Sequence, residues 1–368
     1  MKTAIAEISK SALLHNISYI NNLVGLNVNI MPMLKADAYG HDSVLISKIL
    51  QEEASNQISH IGVARLKEAL KLKTSGINIP IVLVQGVLTQ SDLNIAIQNN
   101  FEIVIYNNHH LELLNNLEPG SFCKIWLKID TGMHRLGFNI KDDLNNIQDK
   151  INKLKKDKKI AAKIFLMSHL TSASEQNSLI SVYQCNDFDN IAKNWDGPKT
   201  LANSAAIISM QKTHYDLVRP GIMLYGISPF QNKTGHELGL KPVMQFKAYI
   251  LDIKHLNKGD YIGYNAKYRC PEDMKVAVIS VGYGDGYPWD NTSSTYVYYN
   301  NKYLKVLGTI SMDMMVIDCS EINDEIYIGD TVELWGQNIS VESLAEKFNT
   351  IPYELVTQIT SRVDRIVI

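Results

Sequence analysis

Apolar and polar positions alternate in a regular way from the start of the chain as far as Val218. Apolar residues spaced three or four apart, such as Leu13, Ile17 and Ile20, predict helices, whereas short continuous apolar runs predict buried strands. The strand-like runs are Val28–Leu34, Ser59–Val63, Pro80–Gln85, Glu102–Tyr106, Lys124–Asp130, Lys163–His169, Thr200–Ala202 and Asp216–Val218.

Helical stretches such as Arg65–Thr74 and Ser174–Lys193 separate most of these strands. Strands that alternate with helices predict a parallel sheet. A total of eight favours a closed (β/α)8 barrel of the TIM type. An open Rossmann sheet is the alternative, but no G-x-G-x-x-G follows the first strand.

The pattern changes after residue 235, where the runs become short and β-rich. They are Val243–Ile253, Lys275–Val281, Thr295–Tyr299, Tyr303–Leu307, Met315–Asp318 and Thr331–Trp335, followed by one predicted helix from Val341 to Phe348. We therefore expect an α/β protein with three parts. Residues 1–8 form an N-terminal strand that could pair with the β domain, residues 9–235 form the barrel, and residues 236–368 form a mainly β domain.

Composition narrows the choice of function. The 368 residues carry a formal net charge of -2, so no basic surface indicates a nucleic-acid partner. The four cysteines lie far apart without a C-x-x-C pair, which favours reduced cysteines and no metal site. Glu7 interrupts any signal-like apolar run, and no run reaches the ~18 apolar residues of a membrane span. We expect a cytoplasmic protein without a membrane partner.

Lys35 stands at the end of the first predicted barrel strand. Active sites of such barrels lie where the strands end. Lysine is seldom buried without a reason, and a lysine amine can act as a nucleophile that forms a Schiff base. The alternative is that Lys35 only extends its amine into solvent.

Further polar residues follow later strands. Lys128 and Arg135 flank Asp130, and His169, Asn203-Ser204 and Arg219 each come at or directly after a strand. The late turns at Ser204 and at Gly221-Ile222 could bind a phosphate through backbone N–H groups. A phosphate site together with an aldehyde-binding lysine favours pyridoxal phosphate as the cofactor.

Several ordered motifs then make the chain resemble the bacterial alanine racemase family, fold-type III pyridoxal-phosphate enzymes, over essentially its whole length. They are Lys35-Ala-Asp-Ala-Tyr-Gly-His41, Asp130-Thr-Gly-Met-His-Arg-Leu-Gly137, Val218-Arg-Pro-Gly-Ile222, Gly263-Tyr264, Gly282-Tyr-Gly-Asp-Gly-Tyr287, Ser311-Met-Asp313 and Tyr353-Glu-Leu.

This resemblance implies a role for each matching residue. Lys35 would carry the cofactor, and the phosphate ligands would be Tyr39, Ser204, Gly221, Ile222 and Tyr353. Arg219 would face the pyridine nitrogen, with His169 between it and Tyr264. Arg135, Met312 and Asp313 would bind substrate, Tyr283 would stand at the entrance, and Lys128 corresponds to a lysine that many members carbamylate.

The resemblance also implies the reaction: interconversion of L-alanine and D-alanine on a pyridoxal-phosphate aldimine, supplying D-alanine for peptidoglycan. Lys35 and Tyr264 of the partner subunit would be the two opposing bases, so the protein would be a homodimer with shared active sites. The resemblance leaves open whether serine or another small amino acid is also a substrate.

Four positions depart from the family pattern: Asp37 stands for asparagine, Asp42 for glycine, Trp289 for arginine and Ser311 for cysteine. Strand alternation would place Asp37 on the same side as Lys35. Three other activities stay open at this point: an amino-acid decarboxylase, which would carry an acidic residue at position 219, a non-catalytic cofactor carrier, and a broad-specificity racemase.

Overall fold

The computed structural model describes residues 4–139, 144–289, 295–322 and 326–368. It divides into two compact units. The barrel unit comprises Asn16–Ala38 and Ser43–Leu224, and the β unit comprises Met1–His15, Tyr39–Asp42 and Tyr225–Ile368. In this division the barrel unit ends at Leu224, and the short segment Tyr39–Asp42 is grouped with the β unit.

The first part of the chain contains the strands and helices of the barrel unit, preceded by one strand of the β unit. They are β1 (Ile5–Ile8), α1 (Lys10–Val24), β2 (Asn29–Ile30), α2 (Lys35–Tyr39), α3 (Ser43–Glu53), β3 (Ile61–Val63), α4 (Leu66–Thr74), β4 (Ile81–Leu83), α5 (Gln90–Gln98), β5 (Glu102–Ile105), α6 (Asn108–Asn115), β6 (Ile125–Asp130), β7 (Phe138–Asn139), α7 (Leu144–Lys156), β8 (Phe165–Met167), α8 (Leu179–Ala192), β9 (Lys199–Thr200), α9 (Ser204–Ser209) and β10 (Leu217–Val218).

Eight parallel strands close into a barrel, as predicted. β3, β4, β5, β6, β8 and β9 pair in that order, and β10 pairs with β2. The two sets join where the Leu34 N–H donates to Gly62 O at 2.8 Å and the Arg219 N–H donates to Ala202 O at 3.0 Å. Strands β3 and β4 are buried throughout, because helices cover a parallel sheet on its outer face.

The turn after Lys35 has an uncommon backbone conformation. Ala36, Asp37, Ala38 and Tyr39 all lie in the left-handed region, with φ of 52°, 53°, 55° and 53°, so α2 is one left-handed turn. Each such residue costs roughly 1–2 kcal/mol relative to a right-handed one. Contacts elsewhere must therefore stabilise this turn.

The β unit holds β1 and the later part of the chain. Its other elements are β11 (Met244–Leu256), β12 (Tyr261–Ile262), β13 (Tyr268–Arg269), β14 (Met274–Ile279), β15 (Tyr296–Tyr299), β16 (Lys302–Leu307), β17 (Met315–Asp318), β18 (Thr331–Trp335), α10 (Val341–Lys347), α11 (Pro352–Gln358) and β19 (Asp364–Val367).

Its main sheet runs β14-β17-β16-β15-β18-β11-β1-β19, and β14 also pairs with β11, so six strands form a closed ring. β1 is antiparallel to β11 and parallel to β19. Hydrophobic residues at alternating positions, such as Val276 and Ile317, fill its interior.

Two helix predictions need correction. The β unit has a second helix, α11, in addition to α10. The helix predicted from Ser174 begins only at Leu179, where Ser178 caps it by accepting a hydrogen bond from the Ser181 N–H. Within the described residues, no helix is both long and apolar enough to cross a membrane.

Candidate active site

Arg219 lies directly after β10 and is 5% exposed. Its guanidinium donates to Thr200 Oγ1 at 2.6 Å, to Ser168 O at 2.6 Å and to Leu201 O at 3.0 Å. Burial lowers its pKa to about 10, so the group stays cationic at neutral pH. The strand ends around it thus hold one buried positive charge in a fixed position.

His169 follows β8, and its Nδ1 lies 3.4 Å from a guanidinium nitrogen of Arg219. Arginine can only donate, so Nδ1 accepts and the ring proton of a neutral His169 resides on Nε2. Burial and then the charge of Arg219 hold the pKa of His169 well below its usual value. His169 is therefore neutral and directs its N–H away from Arg219.

Lys35 is the first residue of α2, where β2 opens into the left-handed turn. Burial and then the charge of Arg135 lower the pKa of its amine, while Glu68 opposes them. A lowered pKa makes more of the neutral, nucleophilic amine available at neutral pH.

Asp37 does not share the surroundings of Lys35 as strand alternation suggested, because the backbone here is a left-handed turn. Its Oδ1 accepts from Lys71 Nζ at 2.8 Å and from the N–H and Oγ of Ser43 at 3.0 Å and 2.7 Å. Burial raises the pKa of this carboxyl, but the bonds from Lys71 and Ser43 outweigh burial and lower it.

Ser204 and Gly221 lie together at the carboxyl end of the barrel. Ser204 begins α9, and its Oγ accepts from the Gly221 N–H at 2.8 Å and from the Met223 N–H at 3.5 Å. Ile222 lies between these two amides and is buried. The cluster brings a hydroxyl together with backbone N–H groups, the kinds of group that bind a phosphate.

Arg135 lies beyond β6 on an exposed loop that Asp130 organises. Asp130 Oδ1 accepts from the N–H groups of Gly132, Met133 and His134 at 2.9, 2.9 and 3.1 Å. These bonds fix the course of the loop from β6 to Arg135. The charge of Arg135 acts on both Lys35 and Lys128, since it lowers the pKa of each.

Lys128 points from β6 into the barrel unit and is 8% exposed. Burial, then Arg219 and Arg135, lower the pKa of its amine to about 8. A lysine this close to neutrality reacts readily as a free amine. The buried positive charge of Lys128 also lowers the free energy of unfolding of the barrel, compared with an uncharged side chain at this position.

Lys128→Met should therefore raise the free energy of unfolding at pH 7 by on the order of 3 kcal/mol, from the shift between 10.5 and about 8. The unfolded lysine keeps its proton up to about pH 10.5, so the penalty is full below about pH 8 and declines between the two values. Urea unfolding in carbonate-free buffer over this range should show the advantage of the variant shrinking as pH rises. Exposed Lys156 supplies the control, Lys156→Met; a variant less stable than wild type at every pH would contradict the prediction.

In the β unit, Tyr39 packs between two other tyrosines. Its ring centroid lies 5.1 Å from that of Tyr225 and 6.0 Å from that of Tyr353, which α11 carries. Burial, followed by Tyr353, raises the pKa of Tyr39, and burial raises that of Tyr353 to about 12. Both phenols keep their protons at neutral pH and can donate hydrogen bonds.

Tyr264 presents its side chain to the surface of the β unit and is 67% exposed. It begins a 3-10 turn after Gly263, whose φ of 74° suits glycine. Trp289 is also exposed, and the Lys267 ammonium lies 5.7 Å from its ring centroid. Position 289, one of the departures noted from the sequence, thus presents an aromatic ring next to a lysine.

Two loops bring Tyr283 and Met312 side by side. The Tyr283 N–H donates to Ser311 O at 3.1 Å, and the Gly284 N–H donates to Met312 O at 2.9 Å. Gly282 allows this approach, because a Cβ there would lie 2.2 Å from Ser311 O.

Asp313 continues the second of these loops and forms an ion pair with Arg362, whose guanidinium lies 2.5 Å from Asp313 Oδ1. The same guanidinium lies 3.5 Å from Asp285 Oδ1. Arg362 therefore links the two loops, a role that the sequence did not indicate.

In this barrel a lysine follows the first strand, and a buried arginine and histidine follow later strands. This arrangement is typical of a barrel enzyme that uses a lysine amine as its reactive group. Comparison with known proteins makes the class specific. The family model for the alanine racemase N-terminal domain matches residues 8–229, and the model for the C-terminal domain matches residues 243–367.

Alanine racemase from Haemophilus influenzae is 38% identical over 363 residues, which cover 99% of this chain and 98% of that protein. Alanine racemase from Nitrosococcus oceani is 39% identical, with 98% of each covered. The structure of alanine racemase from Acinetobacter baumannii superimposes with a TM-score of 0.88 at 35% identity and full coverage of both chains. That of Bartonella henselae with covalently bound pyridoxal phosphate gives 0.87 at 27% identity, also with full coverage.

The chain belongs to the alanine racemase family. The resemblance in the motifs, the fold class and the expectation of an isomerase of this family are thereby confirmed.

Proposed function

We propose that this protein interconverts L-alanine and D-alanine with pyridoxal phosphate, as a homodimer, and so supplies D-alanine for peptidoglycan. The observation that carries the proposal is that Lys35, which follows β2, lies near enough to the buried Arg219–His169 pair that, after burial and Arg219, its charge also lowers the pKa of His169. The cytoplasmic location expected from the sequence stays a prediction.

The residues present fit the cofactor. Lys35 would hold its aldehyde carbon, Arg219 would donate to its ring nitrogen, and Ser204, Gly221 and Ile222 would hold its phosphate with Tyr39 and Tyr353. When bound, pyridoxal phosphate makes the Cα–H bond of an amino acid acidic by delocalising the electron pair left at Cα. The amine, the buried cation and the phosphate-binding amides are the groups that such a molecule requires.

Arg219 selects among the reactions that this cofactor allows. With a pKa of about 10, it would donate a hydrogen bond to the ring nitrogen of the bound cofactor without giving up its proton. An unprotonated ring delocalises charge less than a protonated one, which disfavours side reactions such as transamination. Arg219 also argues against the decarboxylase alternative, which calls for an acidic residue at this position.

Racemisation requires a proton to leave one face of Cα and return on the other. Lys35 serves one face, since its lowered pKa allows it to take up a proton near neutral pH. Tyr264 of the partner subunit serves the other. The exposure of Tyr264 in a single chain supports its use in a neighbouring copy.

Arg135 and the loop of Met312 and Asp313 bind the substrate in this proposal, and Tyr283 stands at the entrance. Carbamylation of Lys128 would convert a strained cation into an anion between Arg219 and Arg135. Its pKa of about 8 supports this, because only the neutral amine reacts with carbon dioxide.

Tyr39→Phe should weaken binding of pyridoxal phosphate by about tenfold, because a hydrogen bond to a charged group is removed from a buried ring that otherwise keeps its packing. Titration of the apoprotein with the cofactor, followed by visible absorbance, measures this. Tyr298→Phe removes a hydroxyl that bonds only within an exposed hairpin and is the matched control. Equal affinity in both variants would remove Tyr39 from the phosphate site.

The proposed activity is tested by a circular-dichroism assay of the purified protein with L-alanine, L-serine and L-lysine side by side. We expect loss of optical activity fastest with L-alanine. Faster conversion of L-lysine would point to the broad-specificity alternative, and release of carbon dioxide would replace racemisation by decarboxylation.

A further inference from the structure

Helix α4 contacts the left-handed turn of Lys35 at two points. Glu68 Oε1 accepts from the Ala36 N–H at 2.8 Å. Lys71 Nζ donates to Asp37 Oδ1 at 2.8 Å. Residues three apart lie on one face of a helix, so a single face of α4 binds two successive residues of the turn.

Glu68 is itself held firmly. Its second oxygen, Oε2, accepts from the N–H groups of Ala64 and Arg65 at 2.8 Å and 2.9 Å. Both carboxylate oxygens are thus engaged, one on the segment between β3 and α4 and the other on the residue after Lys35. The carboxylate therefore fixes the backbone next to Lys35 to the end of the neighbouring strand.

Asp37 holds the other side of the turn. Besides Lys71, its Oδ1 accepts from the backbone N–H and the hydroxyl of Ser43, the first residue of α3. The turn is consequently tied to α4 and α3 at once. Four consecutive left-handed residues persist only where surrounding contacts enforce them, and these bonds supply such contacts.

We propose that Asp37, Glu68 and Lys71 are positioning residues that fix the backbone turn of Lys35 and so the place of its amine. The inference rests on the proposed role of Lys35 as the cofactor lysine. Asp37 then has a function of its own: as a carboxylate it binds Lys71, which the asparagine of other family members would do only as a neutral acceptor.

Glu68 contributes electrostatically as well as geometrically. Its charge raises the pKa of Lys35 against the larger effects of burial and Arg135. Removing that charge while keeping the side-chain shape should therefore shift the titration of the cofactor-bound lysine to lower pH. A merely structural role would leave that titration unchanged.

The experiment compares Glu68→Gln, Lys71→Met, Asp37→Asn and the Asp37→Asn/Lys71→Met double variant. Two quantities are measured: the affinity of the apoprotein for pyridoxal phosphate, and the pH midpoint of the visible absorbance of the bound cofactor. Exposed Glu52 on α3 and exposed Lys73 on α4 provide the controls Glu52→Gln and Lys73→Met. Thermal unfolding of each apoprotein reports on the fold.

Glu68→Gln should weaken cofactor binding by about tenfold and lower the pH midpoint, because an amide has one acceptor oxygen where the carboxylate uses two. Lys71→Met should weaken binding by about threefold, since the pair is half-exposed. The double variant should be no weaker than Lys71→Met, because each substitution alone already removes the same ion pair between Asp37 and Lys71. Lys71→Arg should restore most of the affinity.

Three results would overturn the inference: cofactor affinities and midpoints equal to those of the controls, fully additive effects in the double variant, or losses that follow the unfolding temperature alone. If wild type itself shows no visible absorbance that depends on Lys35, the proposed function fails and this inference fails with it. If wild type shows this absorbance but the variants bind the cofactor as the controls do, the proposed function stands and only this inference fails.

Discussion

Lys35→Ala is expected to abolish the visible absorbance of the bound cofactor and to lower the racemisation rate by a factor of about 10³ or more, because the amine both anchors the aldehyde and serves one face of Cα. Thermal unfolding of the variant checks that the barrel remains folded. Absorbance spectroscopy of the reconstituted variant and the circular-dichroism assay measure the two effects.

Lys48→Ala, on the surface-facing part of α3, is the matched control. It removes an exposed lysine that has no role in the proposal, so absorbance and rate should match wild type. If the Lys35→Ala variant bound the cofactor and kept its visible absorbance, another amine would be the one that holds the cofactor.

Tyr264→Phe is expected to keep the cofactor and its absorbance but to lose racemisation by a factor of about 10² to 10⁴, the usual contribution of one acid–base group. Exchange of the α-proton with solvent deuterium should continue for one enantiomer, the one whose proton faces Lys35. Mass spectrometry of recovered L- and D-alanine measures the exchange. Equal exchange of both enantiomers would contradict the two-base assignment, and Tyr261→Phe, also an exposed tyrosine, is the control.

The same two variants test whether active sites are shared between copies. If Tyr264 of the partner subunit completes the site of Lys35, a hybrid of one Lys35→Ala chain and one Tyr264→Phe chain has one intact site and one doubly altered site. Mixing and reassociating equal amounts should then restore about a quarter of wild-type activity, because half of the dimers are hybrids. No recovery after mixing would place both bases in one chain.

The barrel was predictable from the sequence because parallel strands buried on both faces read as continuous apolar runs, such as the one ending at Leu34. Short strands such as β12 and β13 were not, since two residues carry no periodic signal. Helix α11 was not predicted for a similar reason: it has only seven residues, and it begins at Pro352, a residue type that usually indicates the end of a helix.

The residues of the candidate site were also only partly predictable from the sequence. Lys35, His169 and Arg219 could be singled out from their places at strand ends, but Tyr264 and Met312 came only from the resemblance, as nothing local distinguishes them from core residues. The left-handed turn could not be predicted from the sequence, because Ala36 to Tyr39 contain no glycine. The hydrogen bonds between Glu68 and Ala36 and between Lys71 and Asp37 that hold it join residues far apart in the sequence. Thr200 and Arg362 went unnoticed because their importance lies in the side chains they bind.

The pairing of β1 between β11 and β19 has a consequence for biosynthesis. Ile8, near the start of the chain, lies opposite Met244 on one side and Val367 on the other. During translation, β1 is synthesised long before β11 and β19, and both of its hydrogen-bonding edges stay open until those strands are made. A fragment that begins after residue 8 would leave a slot between β11 and β19 that a strand from another molecule could fill.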